Sequence, residues 1–270
     1  MIENWVFLNG EFYPAAQAKI SISDRGFLFG EGVFTTIHVQ DQRCELFQAH
    51  CKRLEEQTNF LQIAPPTIDP EWIFHLLLLN QAFQGSWRLK IIRTANSLLM
   101  TIEPFIRASS AKKLAIFPYP LERFLAPIKS LSYLDYLYVQ DYAKKVEKDD
   151  ALICTKEKFI LETGRANLFW IADDQYWVPD FQLPYLKGTC LQSFLRQTSH
   201  PIHFVQCTLD QVPLTANIYL CNALEHIVPI SCIGDRVFPL NAQIDQWLEE
   251  TMQIAIEKDY LNCAEKRVLS

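Results

Sequence analysis

A lone lysine, Lys129, sits in Ala126-Pro127-Ile128-Lys129-Ser130-Leu131-Ser132-Tyr133-Leu134, enclosed by apolar residues. Desolvation disfavours an ammonium ion, lowers the amine pKa and leaves the nitrogen nucleophilic enough to form a Schiff base. The competing reading is an edge-strand lysine whose head reaches water. In Phe159-Ile160-Leu161-Glu162-Thr163-Gly164-Arg165-Ala166-Asn167-Leu168-Phe169-Trp170 a carboxylate, Glu162, ends one apolar run before a small-residue turn leads into the next. It is either a turn cap or a partner for a ring nitrogen that must stay protonated. Gly188 precedes a helical run at Thr189, Cys190 and Leu191, where free amides and the helix dipole favour a phosphate, although most glycines before helices bind nothing. Asn217-Ile218-Tyr219-Leu220-Cys221-Asn222-Ala223-Leu224 ends a strand in small and polar residues, an ordinary exit or a second place for amides to meet an anion. Arg53 adds a full positive charge to the same phosphate or is simply solvated. An amine, an acid and a phosphate cradle together are what a phosphorylated pyridine aldehyde needs.

The rest of the composition removes competing chemistries. The 270-residue chain carries a net charge of −6, so there is no broad cationic surface for nucleic acid. The longest greasy run, residues 72–79, is far short of the ~18 residues of a membrane span, and the opening residues lack the order of a secretion signal, so a cytoplasmic location is expected. Eight cysteines are dispersed without a C-x-x-C pair, which reads as reduced, mostly buried thiols. No H-E-x-x-H spacing and no G-x-S-x-G turn is present, so neither a metal site nor a serine hydrolase is expected.

The elements that must position these residues follow from periodicity. Residues 5–13 read as a hairpin about Asn9-Gly10. Strands are expected at 32–39 and 43–46, helices at 47–60, the latter carrying Arg53, and 72–83, and strands at 87–93 and 114–117, the last closing a first lobe. Three prolines within 118–127 mark a linker. Beyond it come a helix at 133–146, short β-runs at 151–154, 159–162, 167–172 and 176–179, a helix opened by Gly188, and a final amphipathic helix carrying Ile244, Trp247, Leu248 and Ala255. The resulting division is a small N-terminal α+β domain over 1–117, a linker over 118–127 and a larger cofactor-binding domain over 128–270.

Ser23-Asp24-Arg25-Gly26-Phe27-Leu28-Phe29-Gly30-Glu31-Gly32-Val33-Phe34-Thr35-Thr36 resembles the D-R-G-x-x-[FY]-G-[DE]-G-V-F-[ET] signature of the class-IV, or fold-type-IV, pyridoxal-phosphate family, and His50-Cys51-Lys52-Arg53-Leu54 resembles its H-x-x-R-L. The resemblance runs nearly end to end. It implies a two-domain α+β fold like that of D-amino-acid aminotransferase, with a small N-terminal α/β sandwich and a larger C-terminal β-barrel-like domain with helices. It further implies pyridoxal 5'-phosphate as cofactor, Lys129 as the Schiff-base residue and Glu162 as the pyridine partner. Arg53 takes the phosphate, Tyr133 the ring hydroxyl, and the backbone of Thr189, Cys190, Asn222 and Ala223 the rest of the phosphate cradle. The family's G-[IV]-T has become Gly188-Thr189-Cys190. A homodimer is implied as well.

Within that family, Phe34-Thr35-Thr36 where aminotransferases often carry glutamate, and Cys221-Asn222-Ala223-Leu224 followed by Pro229, are similar to 4-amino-4-deoxychorismate lyase, which releases pyruvate and 4-aminobenzoate, a folate precursor. Phe29, Phe34, Thr36, Arg93 and Arg165 are the substrate-side candidates, the two arginines being equally able to serve as structural residues. Residues 93–100 lack the G-G-R-G-Y stretch of some lyases, and the R-x-H carboxylate trap of D-amino-acid aminotransferases is missing. A branched-chain or D-amino-acid aminotransferase is the alternative. A non-catalytic cofactor-binding or interaction protein is the third reading, disfavoured because both Lys129 and Glu162 are retained.

Overall fold

The computed structural model describes residues 4–107 and 110–264, and the chain divides into two compact units. The first comprises Met1–Arg107, Ile128–Ser132 and Ile256–Ser270, the second Ala108–Pro127 and Tyr133–Ala255.

In the first unit β1 (Trp5–Leu8) and β2 (Glu11–Pro14) form the hairpin expected from Asn9-Gly10. Both turn residues have positive φ, 53° and 98°, as a type I′ turn requires. After the short helix α1 (Arg25–Phe29) come β3 (Gly32–Gln40), β4 (Arg43–Glu45), α2 (Phe47–Phe60), α3 (Pro70–Leu79), β5 (Ser86–Thr94) and β6 (Leu98–Pro104). A late strand, β16 (Tyr260–Asn262), completes a seven-stranded sheet in the order β16-β4-β3-β5-β6-β1-β2. Val33, Ile37, Leu89, Ile91 and Met100 point to one face and bury against Leu54, Ile73, Leu76 and Leu77 of α2 and α3, each side chain worth roughly 1.5–3 kcal/mol of transfer free energy.

α2 keeps the expected bounds, whereas α3 differs from the sequence expectation at both ends. α3 starts at Pro70 rather than Trp72, because Asp69 caps the Glu71 amide and proline suits the first helical position. It stops before Asn80, whose side chain turns to Trp5, accepting from its amide and donating to its carbonyl. α2 opens on Leu46 with a left-handed backbone and no cap of its own. Its first amides, Gln48 and Ala49, are taken by the Asp259 carboxylate at 2.7 and 2.9 Å, a partner about two hundred residues away.

The second unit holds β7 (Lys112–Ile116), α4 (Leu134–Lys145), β8 (Asp150–Cys154), β9 (Ile160–Thr163), β10 (Asn167–Ala172), β11 (Gln175–Pro179), α5 (Thr189–Leu195), β12 (Ile202–Val205), β13 (Asn217–Asn222), β14 (His226–Ile233), the two-residue β15 (Arg236–Val237) and most of α6 (Ala242–Lys258). The strand expected to close the first lobe, near Leu114, belongs here instead. It runs parallel to both β14 and β8, pairings between distant segments that no local pattern encodes. Following the pairings β10-β13-β14-β7-β8-β9 and then β9 back to β10 closes a barrel. All six strands contribute to one apolar cluster, through Leu114, Leu152, Ile160, Leu168, Leu220 and Ile230. α4 packs Tyr136, Val139 and Ala143 onto a second cluster with Ala151, Leu161 and Tyr185. The mixed α and β content with a barrel agrees with the fold class expected from the sequence.

Candidate active site

Lys129 belongs to the first unit because its backbone adds to the free edge of β3. The Phe34 amide donates to the Lys129 carbonyl at 2.9 Å, the Leu131 amide to the Gly32 carbonyl at 2.9 Å, and Val33 bridges Ser130. This approach accounts for two glycines of the first motif. A Cβ on Gly32 would lie 2.8 Å from Leu131 Cδ1 and 2.7 Å from the Arg93 carbonyl; one on Gly30, whose φ is +70°, would lie 2.5 Å from Ser132 Oγ. Larger residues at either position would push the lysine segment off the strand. Asp24 fastens the same corner, capping Gly26 and Phe27 of α1 while accepting the Thr94 and Ser97 hydroxyls, both at 2.8 Å.

The lysine side chain faces the aromatic ring of Phe34, its Nζ 4.8 Å from the centroid. Lys90, which sequence reasoning passed over, places its Nζ 4.8 Å from the same centroid and pairs in register with Thr36. A phenyl face attracts cations, so Phe34 gathers two amines. The signal for Lys90 was the alternation of β5, which puts Lys90 opposite in face to the buried Leu89 and Ile91.

Arg53 enters from α2. Its guanidinium is buried, one nitrogen donates to Thr35 Oγ1 at 2.6 Å, and its Nε has no hydrogen-bond partner. Among the described residues no carboxylate pairs with it. Burial alone lowers its pKa to about 10. A buried cation with an orphaned donor is costly unless an anion completes it, and a phosphate is the group that suits a guanidinium fork. The phosphate of the cofactor expected from the sequence therefore fits this chain. Thr35 Oγ1 also lies 2.6 Å from His50 Nδ1. Since Arg53 donates to that oxygen, the threonine proton is left for His50, which must accept it. Burial, then the charges of Arg53 and Lys129, push the imidazole well below its ordinary range, consistent with the neutral acceptor. The H-x-x-R spacing sets both residues on one helical face.

In the second unit Glu162 is buried and surrounded by donors. Tyr136 donates its hydroxyl to Oε1 at 2.7 Å, the Leu186 amide to Oε1 at 3.2 Å, and Asn167 Nδ2 to Oε2 at 3.4 Å, the surroundings an acceptor-only carboxylate wants. Burial, then Glu162, raises the Tyr136 pKa out of the physiological range, so this donor keeps its proton. Tyr133 stacks on Tyr136 with centroids 4.9 Å apart and donates its hydroxyl to the Gly164 carbonyl at 3.2 Å. Its pKa is also raised, by burial first.

The remaining expected residues are placed as follows. Thr189 and Cys190 are buried in the first turn of α5, with Cys190 Sγ turned toward Met252 at 3.7 Å. The Asn222 side chain caps its own turn, accepting from Leu224 and Glu225 amides at 2.9 Å, with Ala223 inside that turn. Of these side chains, those of Cys190 and Asn222 are engaged inside the second unit. Arg165 spends its guanidinium on the Asp149 carbonyl at 2.7 Å and lies 3.7 Å from Asp150. Arg93 donates to the Ala64 carbonyl at 3.1 Å. Phe29 stands exposed on α1, while Thr36 shares the Phe34 face of β3.

The sequence model of the family Amino-transferase class IV matches residues 32–233. An aminodeoxychorismate lyase of Vibrio harveyi is 21% identical over 244 residues, covering 81% of this chain and 89% of that protein. Among solved structures, a branched-chain aminotransferase of Thermoproteus uzoniensis with norvaline has a TM-score of 0.84 at 16% identity, covering 95% of this chain and 96% of its own. The PLP-bound form of a hypothetical aminotransferase from Mycobacterium tuberculosis has a TM-score of 0.82 at 18% identity, covering 93% and 98%. At such identities the structures attest the fold. The family match spans most of the chain, and this protein belongs to the class-IV aminotransferases.

Proposed function

We propose that this class-IV chain is a pyridoxal 5'-phosphate enzyme acting as a 4-amino-4-deoxychorismate lyase, which eliminates pyruvate and releases 4-aminobenzoate for folate synthesis. The observation that carries the choice of lyase is the face of β3 and β5 that bears Phe34. Phe34 holds the amines of Lys129 and Lys90 there, and Thr36 stands in register with Lys90. A substrate with two carboxylates meets the Lys90 cation and the Thr36 hydroxyl on that face.

When bound, pyridoxal phosphate supplies an electrophilic aldehyde and a protonated ring that withdraws electrons from the attached carbon. Arg53 would bind its phosphate and Glu162 would hold the proton on its pyridine nitrogen. By the family resemblance, the backbone of Thr189, Cys190, Asn222 and Ala223 would complete the phosphate cradle and Tyr133 would contact the ring hydroxyl. Lys129 would hold the cofactor through its Nζ. The same Nζ would accept the proton from the substrate carbon that bears the amine. The electron pair left behind expels the neighbouring ether oxygen, the enol of pyruvate departs and takes up a proton, and the ring becomes aromatic. Lys90 holds a substrate carboxylate meanwhile.

The second reading, a branched-chain or D-amino-acid aminotransferase, is supported by the likeness to the Thermoproteus structure. We also read the protein as a cytoplasmic homodimer. The exposed run Phe27, Leu28 and Phe29 on α1 supports self-association. No described helix is long and apolar enough to cross a membrane. The deciding experiment supplies enzymatically generated 4-amino-4-deoxychorismate to the cofactor-loaded protein, beside a panel of L- and D-amino acids with 2-oxoglutarate. Pyruvate and 4-aminobenzoate without transamination are expected. Keto-acid exchange without 4-aminobenzoate would move the protein to the aminotransferases.

A further inference from the structure

The barrel of the second unit closes through a single register pair between β9 and β10, and that pair is Glu162 with Asn167. Cross-strand partners project to the same side, so the carboxylate and the amide stand together, 5% and 3% exposed. The amide has only one workable orientation. Gly188 N–H can only donate, so it meets Oδ1, at 2.9 Å; the Leu186 carbonyl can only accept, so it meets Nδ2, at 2.7 Å. The second Nδ2 hydrogen is then aimed at Glu162 Oε2, while the Leu186 amide takes Oε1. Leu186 is thus gripped by both its amide and its carbonyl.

A separate observation agrees. A Cβ on Gly188 would lie 2.2 Å from Asn167 Oδ1, so this position admits only the residue without a side chain. An aspartate at 167 could not donate to Leu186, and a serine would not reach.

We infer that Asn167 is a positioning residue, locking the Glu162 carboxylate and the 186–188 loop into one hydrogen-bonded unit so that the carboxylate meets the pyridine nitrogen at a fixed place. This rests on the cofactor reading above. Asn167 itself touches no reacting atom; it acts through Glu162. The sequence showed it only as the asparagine that opens the strand after the carboxylate.

The test compares wild type, Asn167→Asp, Gly188→Ala and the double variant. It measures the dissociation constant of pyridoxal phosphate by equilibrium dialysis, the pH midpoint of the bound cofactor's absorbance, and thermal unfolding of the cofactor-free protein. Asn167→Asp keeps the acceptor for Gly188 but loses both donations and adds a second carboxylate. It should bind the cofactor roughly tenfold more weakly or worse. The added negative charge favours the protonated chromophore, so its midpoint should rise by about one unit. Gly188→Ala should weaken binding in the same direction from the other side of the contact, and the double variant should fall short of the product of the single effects. A merely structural role would lower the unfolding temperature and leave the midpoint where it was. Should Asn167→Asp not fold, Gly188→Ala decides by the same affinity. Unchanged affinity and midpoint in variants of a wild type that binds the cofactor would overturn the inference alone, whereas a wild type that binds no pyridoxal phosphate would overturn the cofactor reading and the inference with it.

Discussion

The lysine and the carboxylate are held in opposite ways. Lys129 is held through the backbone of its segment, its carbonyl accepting from Phe34 and its amide donating to Gln57 Oε1, and its Nζ lies against the phenyl face of Phe34. Glu162 is fixed by its side chain, with Tyr136, Leu186 and Asn167 each aimed at a particular oxygen. In the proposed reaction, the lysine must leave one carbon and take a proton from another, which needs reach. The proposed role of the carboxylate, sustaining the charge of a ring nitrogen, gains from rigidity. The two regions also differ in charge. Positive groups collect on the lysine side, including a guanidinium with an orphaned nitrogen, and hydrogen-bond donors on the carboxylate side.

The largest way to break the comparison is Lys129→Ala. It should abolish the borohydride-trappable cofactor adduct and cut turnover by roughly a thousandfold or more, and a fully active variant would sink the mechanism. Glu162→Ala should retain some adduct yet lose on the order of 10²–10³ in turnover, which separates a covalent role from an electrostatic one in the same assay. Arg53→Met sharpens the contrast in charge. Cofactor affinity should fall by about 2–5 kcal/mol in binding free energy, while thermal unfolding of the cofactor-free protein should shift upward, because an uncompensated buried cation has been removed. A lowered unfolding temperature would mean that the guanidinium has a structural partner after all.

The smallest effect is acid sensitivity on the lysine side. The folded pKa of His50 lies below the ordinary 6.5 of the unfolded chain, so its contribution is full above about 6.5 and is lost as pH falls toward the folded value. Unfolding temperature should therefore decline by a few degrees between pH 7.5 and 5, and His50→Gln should flatten that decline. An unchanged slope would assign it to other groups.

Much of the local structure was legible because its causes are local. Asn9-Gly10 specified its turn, Phe47 to Phe60 its helix, and Gly188 the start of α5, since periodicity and turn chemistry act over a few residues. The motifs likewise put Lys129, Arg53 and Glu162 forward as candidates before any fold was known. Lys90 and Asn167 were not read as working residues, because their significance lies in what faces them.

By itself, then, the sequence determined the character of the elements, the residue types able to do chemistry and the family they resemble. Tertiary structure alone decided that β7 joins the barrel, that Asp259 caps α2, that the barrel closes on Glu162 and Asn167, and that two lysines share one phenyl ring. Each of these joins segments far apart in the chain. Their partners are selected by the whole core, because registers between distant strands and contacts across a sheet pay off only once the chain between them has closed.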